Sequence, residues 1–373
     1  MSEDSAGLYL GLISGTSADA IDVALATFDP QPRLVAALAA PYPAALRPRV
    51  LALAREKAEI NLDELGTLDV ELGRAFADAA LALLQRERIA PSAVRAIGSH
   101  GQTVRHKPAL AAPYTLQLGD PNVIAERCGI TTVGDFRRRD IAAGGQAAPL
   151  VPGLHAALLA DPAQERVVLN LGGIANITVL PRDPQAPLRG FDTGPANCLM
   201  DGWSLQQRGL GCDERGAWAA AGAVDEELLA QLLAEPYFHQ TGPKSSGREV
   251  FNQDWLQRQL GQRQIAAVDV QATLLALSAR SVAAAIRRDA PRAEQVLVCG
   301  GGVHNTALMA ALAAALAPVA VASTASCGVD PDYVEAMAFA WLARQRLLGL
   351  PGNRADVTGA RGPRVLGAIY FGT

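Results

Sequence analysis

An α/β chain of two domains built on one repeated plan is what these 373 residues predict, on three observations. Strands interleave with helices along most of the chain. Two β-hairpins with small-residue turns, "LYLGLISGTSADAIDVALATF" and "RVVLNLGGIANITVL", each head a half-chain, which reads as an internal duplication. A third glycine cluster, in "QVLVCGGGVHNTALMAALAAAL", joins a buried strand to a helix. The length also exceeds one average core and favours two domains.

Taken in order, the first hairpin reads as a strand Leu8–Ile13, a Gly/Ser/Thr turn and an alternating strand Ile21–Phe28. Residues 65–86 repeat apolar side chains near a period of 3.6 (Leu65, Leu68, Leu72, Phe76, Ala80, Leu83) and predict a helix. "AVRAIGSHGQTV" enters a strand expected to end at Ser99–His100. Further helices are expected at 150–160, 196–208, 226–234, 269–288 and 333–347, with a buried strand Val296–Cys299 and a helix from about Thr306. The division predicted is an N-terminal lobe of residues 1–140, with the tail 352–373 packing back on it, and a C-terminal lobe of 141–351.

Composition excludes several classes of function. Half of the residues are apolar, ample for two cores, and a net charge of −4 without a basic cluster argues against nucleic-acid partners. The densest basic run, Arg137–Arg139, is followed at once by Asp140. Five cysteines at 128, 198, 212, 299 and 327 show no C-x-x-C spacing, so neither a zinc site nor a disulfide framework is expected and a reduced compartment fits. The acidic start lacks the regions of a signal peptide. The longest apolar stretch, Ala307–Ala322, is interrupted by Pro318 and falls short of the ~20 residues of a membrane span. A cytoplasmic protein with no membrane partner is expected.

The turns carry the chemistry. The first has no lysine and is neither G-x-x-x-x-G-K-[ST] nor G-x-G-x-x-G. It offers backbone N–H groups and hydroxyls at Ser14, Gly15, Thr16 and Ser17, which can wrap phosphate oxygens without a helix. Gly172–Gly173 heads the second half, and Gly300, Gly301 and Gly302 let the backbone approach a flat or charged ligand closely. Each alone could be an ordinary turn; together they point to a nucleotide site between two lobes. In "FDTGPANCLMD" a carboxylate, Asp192, precedes Thr-Gly-Pro, a segment that reads locally as a turn.

The motifs "GLISGTSADAIDVAL", "IGSHGQTVRHKP", "TLQLGDPNVIAE", "VGDFRRRDIAAGGQAAPLVP", "LNLGGIANIT", "FDTGPANCLMD", "GPKSSGREVFN", "CGGGVHNTALM" and "DYVEAMAFAWLA" run in order from residue 11 to 343. Together they resemble the anhydro-N-acetylmuramic acid kinase family. The resemblance implies a two-lobed fold of the actin, sugar-kinase and heat-shock ATPase superfamily, whose duplicated ribonuclease-H-like halves close over ATP in an interlobe cleft. It also implies a bacterial enzyme of peptidoglycan recycling, working as a homodimer with ATP and Mg²⁺. That enzyme converts 1,6-anhydro-N-acetylmuramic acid, ATP and water to N-acetylmuramic acid 6-phosphate and ADP. The chain departs from the family pattern at Ala20, Ala147 and Ala196, where glycine is expected; an alanine is strained there if φ is positive.

In that reaction water attacks C1 while O6 leaves C1 and accepts the γ-phosphoryl group. A glycoside hydrolase needs two carboxyl groups, but if phosphoryl transfer captures O6 a single base suffices, and the resemblance assigns it to Asp192. By the same resemblance Gly15, Thr16, Ser17, Ala18, Asp19, Ala20, Ile21, Asp22, Gly172, Gly173, Asn176 and Gly300–Gly302 contact the nucleotide. Asp19 is the candidate Mg²⁺ ligand; Asp19 and Asp22 can reach the ion through waters, since Mg²⁺ keeps several waters and borrows one or two carboxylates, or can position the sugar O6, or can be turn residues flanking a strand. Ser99, His100 and Glu335 are expected at the sugar, and Arg137 or Arg139 can pair as a planar fork with its carboxylate or with phosphates. Glu335 can equally be a helix N-terminal carboxylate favoured by the macrodipole. His100 and His106 lack a third ligand for a metal. Lys244 and Arg248 read as a loop able to close over the cleft, or as plain surface. Two other readings stay open: a sugar kinase with a simple hydroxyl acceptor, and an ATP-driven conformational switch. The latter is disfavoured because only a Pro/Gly/Arg-rich tail and the run Val365–Phe371 follow residue 350.

Overall fold

The computed structural model describes residues 7–15, 18–54, 61–241, 244–247 and 250–373. The chain divides into two compact units, Met1–Leu158 with Tyr333–Thr373, and Leu159–Asp332.

The first unit is built on β1 (Leu8–Ser14), β2 (Ala20–Thr27), β3 (Arg33–Pro41), β4 (Val94–Lys107), β5 (Tyr114–Leu118) and β6 (Thr132–Gly134). β1, β2 and β3 form an antiparallel meander, with Tyr9 opposite Ala26 and Val23 opposite Leu38. β4 runs parallel to β1, and β6 runs parallel to β4. The spatial order is β3-β2-β1-β4-β6, and Ala368–Tyr370 closes the edge antiparallel to β6.

Alternation along β1 decides what covers each face. Leu10 and Leu12 are fully buried with Leu68, Leu72 and Phe76 of the helix Leu62–Glu87. That helix starts where Asn61 accepts the N–H of Glu64 at 2.7 Å and ends at Arg88 in the left-handed region. The opposite face carries Gly11 on β1 and Gly98 on β4, whose added Cβ atoms would strike the Ala336 and Phe339 carbonyls. Two missing side chains therefore let the helix Val334–Leu347 lie directly on the sheet backbone.

The second unit repeats the plan with β7 (Arg166–Leu171), β8 (Ile174–Leu180), β9 (Arg189–Pro195), β10 (Gln295–Cys299) and β11 (Ala320–Ser323). β7, β8 and β9 are an antiparallel meander, β10 and β11 add in parallel, and the order is β9-β8-β7-β10-β11. Leu199 and Trp203 of Asn197–Arg208, Leu274 and Leu277 of Ala267–Asp289, and Leu308 and Leu312 of Thr306–Leu316 share one core with Leu169, Ile177 and Val298. Both units thus place their strands in the order third, second, first, fourth, fifth. This is the duplicated ribonuclease-H-like α/β plan.

Expected helices are found at Leu62–Glu87, Pro152–Leu159, Asn197–Arg208, Glu226–Leu233, Ala267–Asp289 and Val334–Leu347. The division into units and the reach of β4 differ from expectation. The units divide after 158 and 332 rather than at 140 and 351, because Val334–Leu347 packs on β1 and β4 through Gly11 and Gly98. β4 does not stop at Ser99–His100 but continues to Lys107, because β5 folds back and pairs with it from Gln102 to Lys107. No helix among the described residues is long and apolar enough to cross a membrane.

Candidate active site

In the first unit the β1–β2 turn is pinned from two sides. The Gly15 carbonyl accepts the Ala18 N–H and the Gln102 side-chain amide, both at 3.1 Å. Arg47 donates to the Ala18 carbonyl at 3.1 Å and to Asp19 Oδ1 at 2.6 Å. Ala18 is fully buried at φ +50, and Asp19 projects outward, 64% exposed. Ile21 is buried on β2 and Asp22 beside it half-buried, so the strand alternates directly after the turn. Thr16 and Ser17 lie outside the described residues.

Ser99 and His100 are both buried where β4 bends at Gly101. Arg137 is half-buried; its Nε donates to His100 Nε2 at 2.9 Å and its Nη1 to the Ala147 carbonyl. Burial holds the His100 imidazole well below its ordinary pKa, and the adjacent Arg137 cation adds to this. The His100 ring packs against Phe339 with centroids 4.6 Å apart and planes tilted by 37°, on the helix whose first turn carries Glu335. Burial also pushes Arg137 down to about 10, opposed by Glu335 and Asp140. The structure therefore brings His100, Arg137 and Glu335 into one electrostatic group. Arg139, by contrast, is exposed on the helix Arg138–Ala142.

Sequence reasoning missed the residue behind this group, Asp140. It is fully buried; Oδ1 accepts from Asn353 at 2.7 Å and Thr358 at 2.8 Å, and Oδ2 from the Ala147 N–H at 2.7 Å. Ala147 itself sits at φ +52, the one position among Ala20, Ala147 and Ala196 in the left-handed region. Ala196 caps a helix at φ −109 and Ala20 opens β2. The bonds from Ala147 to Asp140 and Arg137 hold a conformation that alanine disfavours by itself.

In the second unit the Gly172 and Gly173 carbonyls accept N–H groups of Ala196, Asn197 and Cys198 at 3.0 to 3.1 Å, so the β7–β8 turn caps the helix Asn197–Arg208. Asn197 reaches back to the carbonyls of Leu171 and Gly172 at 3.0 and 2.8 Å. Gly300, at φ +80, donates to the Pro331 carbonyl at 2.8 Å, and Gly301 is exposed with open space where a Cβ would be.

Asp192 lies on β9, opposite Asn176 of β8. Its Oδ2 accepts the Ser246 N–H at 3.0 Å, its N–H donates to the Lys244 carbonyl at 3.1 Å, and its carbonyl accepts the Tyr237 hydroxyl at 2.8 Å. Two residues on, Gly194 adopts φ +146, and an added Cβ would stand 2.5 Å from the Phe238 ring. The local turn reading of this segment is thus corrected to a strand whose far end is bent by glycine. Lys244 and Ser246 bond to Asp192 from their own loop, with Ser245 between them exposed; Arg248 lies outside the described residues. Among the described residues no group of three or more His, Cys, Asp or Glu is placed to hold a metal ion.

Two ribonuclease-H-like units in one chain define the class, the duplicated fold of sugar kinases and related ATPases. The family model described as anhydro-N-acetylmuramic acid kinase matches residues 7–372, and the chain belongs to that family. A relative of that name from Xanthomonas campestris pv. campestris (strain 8004) is 52% identical over 367 residues, covering 97% of each chain. One from Coxiella burnetii (strain Dugway 5J108-111) is 49% identical over 364 residues, covering 98% of this chain and 97% of its own. Among solved structures, a ROK family glucokinase from Streptomyces griseus in complex with glucose and AMPPNP matches at 14% identity with a TM-score of 0.41, covering 91% of this chain and all of its own.

Proposed function

We propose that this protein is an ATP-dependent kinase that opens 1,6-anhydro-N-acetylmuramic acid with water and phosphorylates O6. The products are N-acetylmuramic acid 6-phosphate and ADP. The observation that carries the mechanism is the fixation of Asp192: a carboxylate in a family motif, on a strand, with Oδ2 held by a backbone N–H and both backbone polar groups bonded.

Water adds to C1 and the Asp192 carboxylate takes its proton. The C1–O6 bond breaks, O6 bonds to the γ-phosphorus, and the bond to the ADP oxygen breaks, so no carboxylic acid is needed to protonate the leaving oxygen. In the first unit the turn Gly15–Asp22 binds nucleotide, while Ser99, His100, Arg137 and Glu335 bind sugar; exposed Arg139 is an outer phosphate or carboxylate contact. In the second, Gly172, Gly173, Asn176 and Gly300–Gly302 bind nucleotide. Since Arg47 already takes Oδ1 of Asp19, that carboxylate fits a water-mediated magnesium contact shared with Asp22 better than a dedicated cage. Magnesium there would neutralise phosphate charge. The reading includes a cytoplasmic homodimer, supported by the family resemblance.

Incubation in ¹⁸O water tests the reaction. The product is expected to carry label at C1; unlabelled phosphorylated sugar would favour transfer to a simple hydroxyl instead. Asp192→Asn is expected to lower kcat by at least about 10²-fold with both KM values within several-fold. Retention of more than about a tenth of kcat would remove the base from the mechanism.

A further inference from the structure

Three residues form a closed circuit of hydrogen bonds around Asp192. The Asp192 N–H donates to the Lys244 carbonyl at 3.1 Å, Lys244 Nζ donates to the Tyr237 carbonyl at 2.8 Å, and the Tyr237 hydroxyl donates to the Asp192 carbonyl at 2.8 Å. Each residue gives one bond and receives one, and the circuit ends where it began. Ser246, two residues past Lys244, adds the bond to Oδ2.

Aromatic packing backs the circuit. Tyr237 meets Phe251 edge-on at 5.5 Å, Phe238 stacks on Phe251 at 5.5 Å, and Phe251 meets Trp255 at 5.3 Å. The Lys244 ammonium stands 4.3 Å from the Tyr237 ring centroid and 5.9 Å from that of Phe191. A lysine needed only for solubility would extend its charge into water; this one keeps it over two rings and against a carbonyl.

We propose that Lys244 and Tyr237 are positioning residues for Asp192, holding its backbone so that the carboxylate stays aimed, with the ammonium favouring its ionised form. This inference rests on Asp192 acting as the base. The charged groups that act on Lys244 are Arg288, Asp289 and Asp192, and burial, with Arg288, lowers the ammonium to a pKa of about 8. Asp289 and Asp192 act in the opposite sense.

The test compares Lys244→Met, Tyr237→Phe and Asp192→Asn in the full-length protein. Tyr237→Phe deletes one oxygen and keeps the ring, so it remains informative if Lys244→Met folds poorly. Misplacement of a reacting group by about 1 Å can cost 10²-fold. Lys244→Met is therefore expected to lower kcat by about 10- to 100-fold, and Tyr237→Phe by a smaller factor, with the KM for ATP within about threefold. Loss of a neighbouring cation should also move the acid limb of the kcat–pH profile upward in Lys244→Met. In the Asp192→Asn background, Lys244→Met should add less than about a twofold effect, since the residues act through one group. Inactive Asp192→Asn together with wild-type kcat in folded Tyr237→Phe and Lys244→Met would overturn the positioning role and leave the base standing. So would a kcat loss in proportion to unfolded protein with an unmoved acid limb. An active Asp192→Asn would overturn the base itself, and the positioning role with it.

Discussion

Arg137 donates its Nε–H to Nε2 of His100 across 2.9 Å, which fixes the imidazole tautomer: Nε2 accepts, so the ring proton sits on Nδ1. The same guanidinium holds the Ala147 carbonyl, so one planar side chain orients a ring and a loop together. Lysine cannot reproduce that fork. Arg137→Lys is expected to raise the KM for the anhydro sugar by about tenfold or more while the KM for ATP changes little. Steady-state kinetics with each substrate varied in turn decide it, and an unchanged sugar KM would reduce the pair to architecture.

Asp140 stands behind that arrangement with three donors aimed at one buried carboxylate. Asp140→Ala strands all three, and each unsatisfied buried group costs roughly 1–3 kcal/mol. A loss of about 3 kcal/mol or more is expected by urea denaturation. Asp140→Asn should lose less, because an amide keeps one acceptor. Equal stability of Asp140→Ala and wild type would show that water replaces the carboxylate.

How far the sequence can be read is decided by how far apart the partners lie. The helix Leu62–Glu87 and the strand–turn–strand plan of each unit were legible because their signals, apolar period and glycine placement, are local. Asp192 was legible as a motif, but its surroundings were not: Tyr237 and Ser246 reach it from 45 and 54 residues away. The side-chain partners of Asp140 are still more distant, at 213 and 218 residues. The boundary after 332 was hidden for the same reason, since Gly11 and Gly98 show their purpose only once Ala336 and Phe339 lie against them.

Stability should fall with acid. Burial holds His155 down to about 3 and His100 well below the ordinary 6.5. Both are neutral in the folded protein, whereas an unfolded histidine takes a proton near 6.5. Their contribution is therefore complete above about pH 6.5 and is lost progressively as pH falls toward the folded values, by at most about 1.4 kcal/mol per pH unit for each. Denaturant midpoints at pH 7, 6 and 5 should decline, and His155→Leu should flatten the decline. A midpoint independent of pH over that range would contradict the neutral burial of both.

Two glycines separate folding from ligand contact. Gly194→Ala places a methyl 2.5 Å from the Phe238 ring at φ +146, so it should destabilise by about 1–3 kcal/mol and lower kcat by shifting Asp192. At Gly301 an added methyl meets nothing within 4 Å. Gly301→Ala should leave the melting temperature unchanged and raise the KM for ATP. If its KM matches wild type, the triple glycine does not touch the nucleotide.

The first unit draws its strands from both sides of an inserted second one. On the ribosome the meander β1 to β3 emerges early, but the helix that seats on Gly11 and Gly98 and the strand that seals β6 are translated only after residues 159–332. The second unit, continuous in the chain, can finish first, while the first waits with an uncovered sheet face and an open edge. Nascent chains stalled before residue 333 would thus carry one finished unit and one vulnerable half, a state in which chaperone engagement and premature proteolysis act on the first unit alone.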